Sequence, residues 1–243
     1  MGDPSITIND ADSLVIKTQE RFSRALQRRY QFESNLKPAQ KFLLNCVNSK
    51  IPLVIMYADL VGSTKMSMTL PVDKMVTVIR GFAYEMSNII HGYGGYVLKY
   101  VGDAVIAFFP PIDNKSRSCN AAVDCAKLML TIIEKGISPI LNRFHYNDIQ
   151  IKIGIDEGES VIIQHGHDES SLIDILGYCM NRCAKITSLT FPNKIMIGEE
   201  IYANLISPLK MEFNETKFGT DQWKYFNKQT GYLYRLYTND YKN

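Results

Sequence analysis

The chain has 243 residues, and its 27 lysines and arginines nearly balance its 25 aspartates and glutamates, which leaves a net charge of +2. Such a charge gives no reason to expect a nucleic acid or an anionic membrane as a partner. The hydrophobic content of 46% excludes an intrinsically disordered chain, and no segment approaches the roughly 18 uninterrupted apolar residues of a membrane span. The N-terminus lacks the features of a secretory signal, and the five cysteines form no CxxC pair. We therefore expect a cytoplasmic protein with reduced thiols.

Residues 1–50 are expected to form an N-terminal helical extension, and residues 51–243 the main domain. A helix is predicted from Asp10 or Asp12, either of which could cap it, to about Phe32. Residues 33–50 are predicted to be a connector or a second short helix.

The main domain shows alternating strand and helix patterns. The predicted elements are, in chain order, a buried strand at 51–58 that ends at Asp59, a helix at 71–91, a hairpin of two strands around Gly102-Asp103, a helix at 116–135, a hairpin of strands 149–155 and 160–165 with Glu157-Gly158 near its turn, a helix at 178–189, a strand at 194–198, a helix at 199–205, and late strands near 209–213 and 232–237. The order β-α-β-β-α-β predicts an α+β fold with a ferredoxin-like core and additional C-terminal strands and helices.

Two aspartates follow neighbouring strands of this predicted fold. Asp59 ends the first strand, and Asp103 lies in the turn of the hairpin beside it, so the two carboxylates can meet at one edge of the sheet. Two carboxylates with few other ligands suit Mg²⁺, which keeps waters and substrate phosphates in its shell. The alternative is that both are ordinary polar turn residues.

Other polar residues lie close to these aspartates in the sequence. Gly62, Ser63 and Thr64 precede a possible helix, whose free backbone N–H groups would favour phosphate, although an ordinary helix cap is the alternative. Lys99 precedes Asp103 by four residues in an otherwise apolar strand. The two share a face only if the turn does not shift the register.

Three segments together resemble a known family. YADLVGST and LKYVGDAVIAFF resemble the two metal motifs of class III nucleotidyl cyclases, the adenylyl and guanylyl cyclase family. IKIGIDEGESV, followed by IDILGYCMNRCAKI, resembles the family's glycine-containing hairpin and its D-I-x-G-x-x-x-N-x-x-x-R pattern. The resemblance covers roughly residues 51–237. It implies an adenylate cyclase that converts ATP to 3′,5′-cyclic AMP and pyrophosphate with two Mg²⁺ or Mn²⁺ ions, at sites shared between the subunits of a homodimer.

The resemblance also implies roles for residues that match its motifs. Asp59 and Asp103 would bind the metal ions, with the Leu60 carbonyl as a further ligand. Lys99 and Asp174 fall on the positions that read the base. A Lys–Asp pair suits adenine, because the amine can donate to a ring nitrogen and the carboxylate can accept from the exocyclic amine.

The remaining matches lie later in the chain. Asn181 falls on the position that orients the ribose, and Lys185 stands where the family has its transition-state arginine. Lys224 is the nearest match to a late lysine that contacts the terminal phosphates, with Lys228 as the alternative. Lysine at 185 departs from the family pattern, since it offers one point charge where arginine offers a planar fork. Further departures are Ile163, where a glycine is usual, and the insertion HGHDESSLI before Asp174.

Two alternatives stay open at this point. The substrate could be GTP or a pyrimidine nucleotide, because Tyr57 and Tyr100 lie near the base-reading positions and could reshape the pocket. Alternatively, the domain could be a catalytically weak nucleotide-binding or dimerisation module, for which Lys185 is the main support.

Overall fold

The fold is an eight-stranded mixed sheet with helices on both faces, as seen in a computed structural model that describes residues 8–27, 31–32, 36–111, 113–166 and 171–239. The strands are β1 Lys50–Val61, β2 Tyr96–Val101, β3 Ala104–Phe109, β4 Gln150–His165, β5 Leu172–Leu176, β6 Lys194–Gly198, β7 Phe213–Thr216 and β8 Leu236–Asn239. The helices are α1 Ile8–Leu26, α2 Lys37–Leu44, α3 Ser63–Thr69, α4 Val72–Gly92, α5 Lys115–Thr131, a π-helix at Ile132–Ile137, α6 Ser138–Arg143, α7 Tyr178–Leu189, α8 Glu199–Asn204 and α9 Ser207–Lys210.

The strand order confirms the predicted fold class. The sheet runs β2-β3-β1-β4-β6-β8-β7, and β5 pairs with β4 outside this path. Strand β1 is antiparallel to both β3 and β4, whereas β4 and β6 are parallel. The strands β2-β3-β1-β4 with α4 and α5 make up the ferredoxin-like unit, and the elements from α7 onward are the additional C-terminal part.

Alternation along β1 divides the core between the two faces of the sheet. Val54, Met56 and neighbouring even-numbered residues join a cluster with α4 and α5, here called the α4–α5 face. Leu53 and Ile55 join a second cluster that contains residues of α2 and α7, here called the α7 face. Asp59 has the parity of Leu53 and Ile55 and therefore lies on the α7 face.

The first helix packs into the α4–α5 face. It already includes Asp10 and Asp12, so the prediction that one of them caps it is wrong, and it ends at Leu26 well before Phe32. Its residue Phe22 is fully buried in the main core. Within this helix, Arg21 donates two hydrogen bonds of 2.6 Å to Glu85, a fully buried residue of α4.

One predicted hairpin is a single continuous strand. Strand β4 runs through Glu157 and Gly158 without a turn, and its true hairpin partner is β5. The reason is that β1 pairs with β4 along all twelve of its residues, and a turn at this point would leave the backbone groups of β1 unpaired. Gly158 instead allows the strand and α7 to lie close together, because an added Cβ at this position would lie 3.1 Å from Cys179 Cβ.

Four other predicted boundaries shift. Strand β1 continues past Asp59 to Val61, and the helix predicted to end at residue 135 continues through the π-helix into α6. The late strand predicted near 209–213 is instead α9 followed by β7, and the last strand is β8 at Leu236–Asn239. Within the described ranges, no helix is both long and apolar enough to cross a membrane.

Candidate active site

Asp59 and Asp103 meet at one edge of the sheet, as the topology predicted. Asp59 lies opposite Ala104 in the β1–β3 ladder, and Asp103 is the residue before Ala104 in the β2–β3 turn. Burial raises the pKa of the Asp59 carboxyl, the negative charge of Asp103 raises it further, and Lys152 lowers it. The two carboxylates therefore interact electrostatically, which is what a shared cation would relieve.

Lys152 is a neighbour of this pair that sequence reasoning missed. It lies directly opposite Asp59 in the β1–β4 ladder and is half-buried. The sequence pattern that could have revealed Lys152 is that it lies between the buried residues Ile151 and Ile153 of one strand. Because side chains alternate between the two faces of a sheet, Lys152 lies on the face opposite to these isoleucines, the α7 face, where Asp59 also lies. It adds a positive charge beside the two carboxylates.

The ligand set around the carboxylates is small. Among the described residues, no group of three or more histidine, cysteine, aspartate or glutamate side chains could hold a metal ion. Two carboxylates that leave positions for water and phosphate fit Mg²⁺ better than a cation that needs a full protein cage. Leucine has no ligand atom in its side chain, so the predicted ligand role of Leu60 falls to its backbone carbonyl and stays a prediction.

The segment after β1 begins a helix, as expected. Helix α3 starts at Ser63, which is half-buried, and the exposed Thr64 follows. Gly62 has a φ of +83°, a left-handed conformation that glycine adopts at little cost. An added Cβ at Gly62 would meet no atom within 4 Å, so the backbone conformation requires the glycine there. The predicted phosphate contact of this segment is untested.

Lys99 and Asp174 form an ion pair across the α7 face. Lys99 Nζ donates to Asp174 Oδ2 at 2.5 Å, and the side chains are 38% and 18% exposed. The other carboxylate oxygen accepts a hydrogen bond of 2.8 Å from the backbone N–H of Ile175. A register shift between Val97 and Lys99 sets Lys99 opposite Ile106, a residue of the α7-face cluster. The predicted partners are therefore adjacent, although 75 residues separate them.

Only one of the two tyrosines named above lies on this side of the sheet. Burial raises the pKa of the Tyr57 phenol to about 12, and the neighbouring Cys183 and Asp174 add to the rise. Tyr100 instead shares a hydrogen bond of 2.7 Å with Ser87 of α4. Ile163, the residue in place of a usual glycine, lies directly opposite Asp174. Tyr57 and Ile163 therefore border the ion pair.

Helix α7 presents Asn181 and Lys185 on its outer side. Tyr178, Asn181 and Lys185 have helical spacing and form one stripe, in which Asn181 is exposed and Lys185 half-buried. Within the part of the chain that the structure describes, Lys185 has no ion-pair partner, and no hydrogen bond joins Asn181 or Lys185 to Asp59 or Asp103. Among the described residues, the carboxylates of Asp59 and Asp103 and the α7 stripe are therefore not linked directly by a hydrogen bond or ion pair within one chain.

The late lysines differ in their relation to α7. Lys224 is exposed and follows Trp223, which is buried. Lys228 Nζ lies 4.7 Å from the centroid of the Tyr178 ring, at the start of the α7 stripe. Of the two lysines, the alternative Lys228 is thus the one with a contact to α7, through Tyr178.

A buried ion pair also lies under α7 and escaped the sequence analysis. Arg182 Nε donates to Asp156 Oδ2 at 2.6 Å, and both side chains are buried. Arg182 is therefore bound beneath the helix and does not provide a second cation on the outer stripe. Residues 167–170 of the insertion lie outside the described residues, while its ends belong to β4 and β5.

Comparison with known proteins finds nucleotide cyclases, and the nucleotide in the name differs from one relative to the next. A cytidylate cyclase of Escherichia coli is 24% identical over 171 residues, which cover 67% of this chain and 36% of that protein. A uridylate cyclase of Xanthomonas perforans is 27% identical over 199 residues, covering 80% of this chain and 84% of that protein. The chain thus spans about a third of the length of the cytidylate cyclase.

The fold itself is found in solved structures. The adenylyl cyclase CyaB from P. aeruginosa superposes with a TM-score of 0.64 at 21% identity, covering 80% of this chain and 96% of that chain. At this identity the likeness concerns the fold.

The family model described as the adenylate and guanylate cyclase catalytic domain matches residues 47–234. That span includes the carboxylates of β1 and the β2–β3 turn, the Lys99–Asp174 pair and the whole of α7. The chain therefore belongs to the adenylate and guanylate cyclase catalytic domain family.

Proposed function

We propose that the chain is a nucleotidyl cyclase, which converts a nucleoside triphosphate to a 3′,5′-cyclic monophosphate and pyrophosphate. The observation that carries the proposal is the meeting of Asp59 and Asp103 at the end of the β1–β3 pair, directly before α3. In this reaction the ribose 3′-oxygen forms a bond to the α-phosphorus. The bond from that phosphorus to the bridging oxygen breaks, so pyrophosphate leaves with the electron pair.

The residues described above have distinct roles in this proposal. Two Mg²⁺ or Mn²⁺ ions held by Asp59 and Asp103 would stabilise charge on the phosphates and favour ionisation of the 3′-hydroxyl. Asn181 orients the ribose. Lys185 faces the charge that develops on the α-phosphate, and a fixed cation at that point stabilises the transition state. A late lysine neutralises the terminal phosphates: Lys224 is the first candidate from the sequence, and the contact of Lys228 with Tyr178 supports the alternative.

The Lys99–Asp174 pair supports ATP as the substrate. Adenine offers a ring nitrogen that accepts from Lys99 and an exocyclic amine that donates to Asp174. Cytosine offers the same two groups in the same order, so CTP is the second candidate. It is favoured by relatives named cytidylate cyclases in E. coli and Staphylococcus aureus. Guanine and uracil present a ring N–H and a carbonyl oxygen, which mismatch both members of the pair.

A product assay with all four nucleoside triphosphates tests the proposal, with Mg²⁺ and Mn²⁺ in separate reactions. We expect cyclic AMP as the main product and little turnover of GTP or UTP. A preference for CTP would favour the second candidate, and a preference for GTP or UTP would contradict the role of Lys99 and Asp174. Nucleotide binding without any cyclic product would instead indicate a non-catalytic nucleotide-binding module.

We further propose that the site is shared between two copies of the chain. The outer side of the β4–β5 hairpin exposes apolar residues: Val161 and Leu176, which are cross-strand partners, are 40% and 54% exposed. A second copy that covers this surface would bury it. It would also bring the carboxylates of one chain to the α7 stripe of the other, and two-fold symmetry would then give two equivalent sites.

Mixing two inactive variants tests this arrangement. Asp59→Ala and Asn181→Ala each damage a different half of the site, so each mixed dimer retains one intact site. After subunit exchange we expect about a quarter of wild-type activity, because half of the dimers are mixed and each has one site of two. A mixture of Asp59→Ala with Asp103→Ala is the matched control and should stay inactive, since both changes damage the same half. An inactive first mixture of exchanging dimers would refute the shared site.

A further inference from the structure

Helix α7 has few local features that hold it in place. It has 12 residues, its N-cap Gly177 makes no side-chain capping hydrogen bond, and its first turn has no acidic residue. A helix of this length is marginal alone in water. The rotation of α7 about its axis therefore depends on contacts with the rest of the fold.

Much of the contact between α7 and β4 is close but only weakly directional. An added Cβ at Gly154 would lie 2.2 Å from Thr187 Oγ1, so this glycine lets the helix lie against the strand. The buried face of the helix also includes Ile186 and two cysteines, whose thiols are weak hydrogen-bond donors. Cys183 Sγ donates to the Gly154 carbonyl at 3.2 Å, and Cys179 Sγ has hydrogen-bond partners in the same strand. Apolar packing and weak thiol hydrogen bonds fix the distance of the helix from the sheet. They resist rotation less than charge-assisted hydrogen bonds do, because the hydrophobic effect is non-directional and a thiol is a weak donor.

Arg182 is the charged residue on this buried face, and its contacts are directional. It is 7% exposed. Its Nε donates to Asp156 Oδ2 at 2.6 Å, and its Nη2 donates to the Glu157 carbonyl at 2.9 Å. Both acceptors belong to β4. Because the guanidinium is planar and its donors have fixed directions, two bonds to one strand set the angle of the helix.

The same carboxylate binds a third element of the fold. Tyr234 donates its hydroxyl to Asp156 Oδ1 at 2.7 Å, and its ring centroid lies 3.9 Å from Arg182 Cζ. An added Cβ at Gly198 would lie 2.3 Å from this oxygen, so the glycine leaves room for the carboxylate. Tyr234 also anchors the late segment, since its carbonyl accepts from the indole N–H of Trp223 at 2.7 Å.

The helix geometry relates this cluster to the outer stripe. An α-helix turns about 100° per residue, so Asn181 lies about 100° and Lys185 about 60° from Arg182, both on the same side. A rotation of α7 by about 20° would move side chains at a radius of about 6 Å by about 2 Å. Misplacement by about 1 Å can cost an enzyme up to about 100-fold in rate.

We propose that Asp156, Arg182 and Tyr234 form a buried positioning cluster that fixes the rotation of α7. The cluster thereby directs Asn181 and Lys185 toward the nucleotide, and it holds the segment of Lys228 against the start of the helix. None of its three members contacts the nucleotide in this proposal, so they are positioning residues. The inference rests on the proposed function, because its effect on rate requires that Asn181 and Lys185 act on a bound nucleotide.

The test uses a variant that keeps the cluster hydrogen-bonded but neutral. Asp156→Asn combined with Arg182→Gln avoids leaving a buried charge without a partner, which a single substitution would do. We expect kcat per nucleotide-binding site to fall about 10- to 100-fold, with KM within about threefold of the wild type. The matched control is Arg21→Gln with Glu85→Gln, the ion pair of a half-buried arginine and a buried glutamate on the other face, which should leave kcat unchanged.

A second measurement separates positioning from loss of structure. If the cluster acts through Lys185, then Lys185→Ala should cost less in the neutral variant than in the wild type, because the lysine is already misdirected. Equal costs in both backgrounds would refute the proposal, as would an unchanged kcat in the neutral variant. Tyr234→Phe provides a milder change and should lower kcat about threefold to tenfold.

A failure of the proposed function would be recognised separately. If the wild-type chain forms no cyclic nucleotide, hydrogen exchange at the α7 amides still tests whether the positioning cluster holds the helix in place. Faster exchange in the neutral variant than in the Arg21 and Glu85 control would support the cluster as the anchor of α7. Equal exchange in the two variants would overturn it.

Discussion

Lys185 offers the most direct test of the proposed chemistry, because it stands where the related enzymes are expected to have arginine. It is half-buried on the outer stripe of α7, and among the described residues it has no ion-pair partner, so its charge is available to a phosphate. A charge-assisted hydrogen bond contributes about 1.5–3 kcal/mol. Since about 1.4 kcal/mol is a factor of ten in rate, Lys185→Ala should lower kcat about 10- to 100-fold.

The arginine variant should act in the opposite direction. Arginine can form two parallel hydrogen bonds where lysine forms one, and an added net hydrogen bond is worth about 1 kcal/mol, or about a fivefold increase in kcat. The gain should fall on kcat with little change in KM, because the charge on the α-phosphate grows in the transition state.

Initial rates of pyrophosphate release over a range of nucleotide concentrations separate kcat from KM. Lys17→Ala and Lys17→Arg on the exposed side of α1 are matched controls and should change neither constant. If Lys185→Ala kept wild-type turnover, the lysine would be an ordinary surface residue. If Lys185→Arg lowered kcat while Lys185→Ala also did, the site would require the shape of lysine, and the argument from hydrogen-bond number would be wrong.

Three further predictions concern carboxylates and their partners. Asp59→Ala and Asp103→Ala should each abolish cyclic product while size-exclusion chromatography shows an unchanged oligomer, because both residues are only partly buried. Arg21→Ala leaves the buried Glu85 without its cation, and urea unfolding should show a loss of about 3–5 kcal/mol in the free energy of unfolding. Burial raises the pKa of Asp156 from 3.8 to about 6, so the folded chain binds more protons than the unfolded chain between these values. The free energy of unfolding of the wild type, relative to Asp156→Asn, should therefore fall as the pH rises from about 4 to about 6 in a series of urea titrations.

Much of the site could be predicted because its residues lie at positions that a local pattern marks. Asp59 follows a buried apolar run and Asp103 a glycine turn, and strand pairing then brings them together. Helical spacing likewise put Asn181 and Lys185 on one stripe of α7. The positions of these residues follow from alternation, periodicity and the order of elements, whereas the roles of Asn181 and Lys185 came only from the resemblance to the cyclase family.

The errors came from contacts between segments far apart in the sequence. Glu157-Gly158 has the composition of a turn, but its backbone pairs with β1 and its glycine admits α7. The face of the sheet on which Lys99 lies depends on a register shift at Leu98 in the β2–β3 pair. No residue pattern reveals this shift. The Arg182–Asp156 pair joins residues 26 positions apart, and nothing local to either one indicates the other.

The two Lys/Arg–Asp pairs on the α7 face differ in solvent exposure, and this difference decides what each can do. The Lys99–Asp174 side chains are 38% and 18% exposed, whereas those of Arg182 and Asp156 are 8% and 0% exposed. A pair with solvent contact is worth less than a buried one, down to about 0–1 kcal/mol for surface pairs, so a base that offers one acceptor and one donor can replace it. Separating a buried pair costs about 3–5 kcal/mol, because each charge is then left in a poorly solvating environment. Lys99 and Asp174 can therefore exchange partners when a nucleotide enters, while Arg182 and Asp156 stay together and hold the helix that faces it.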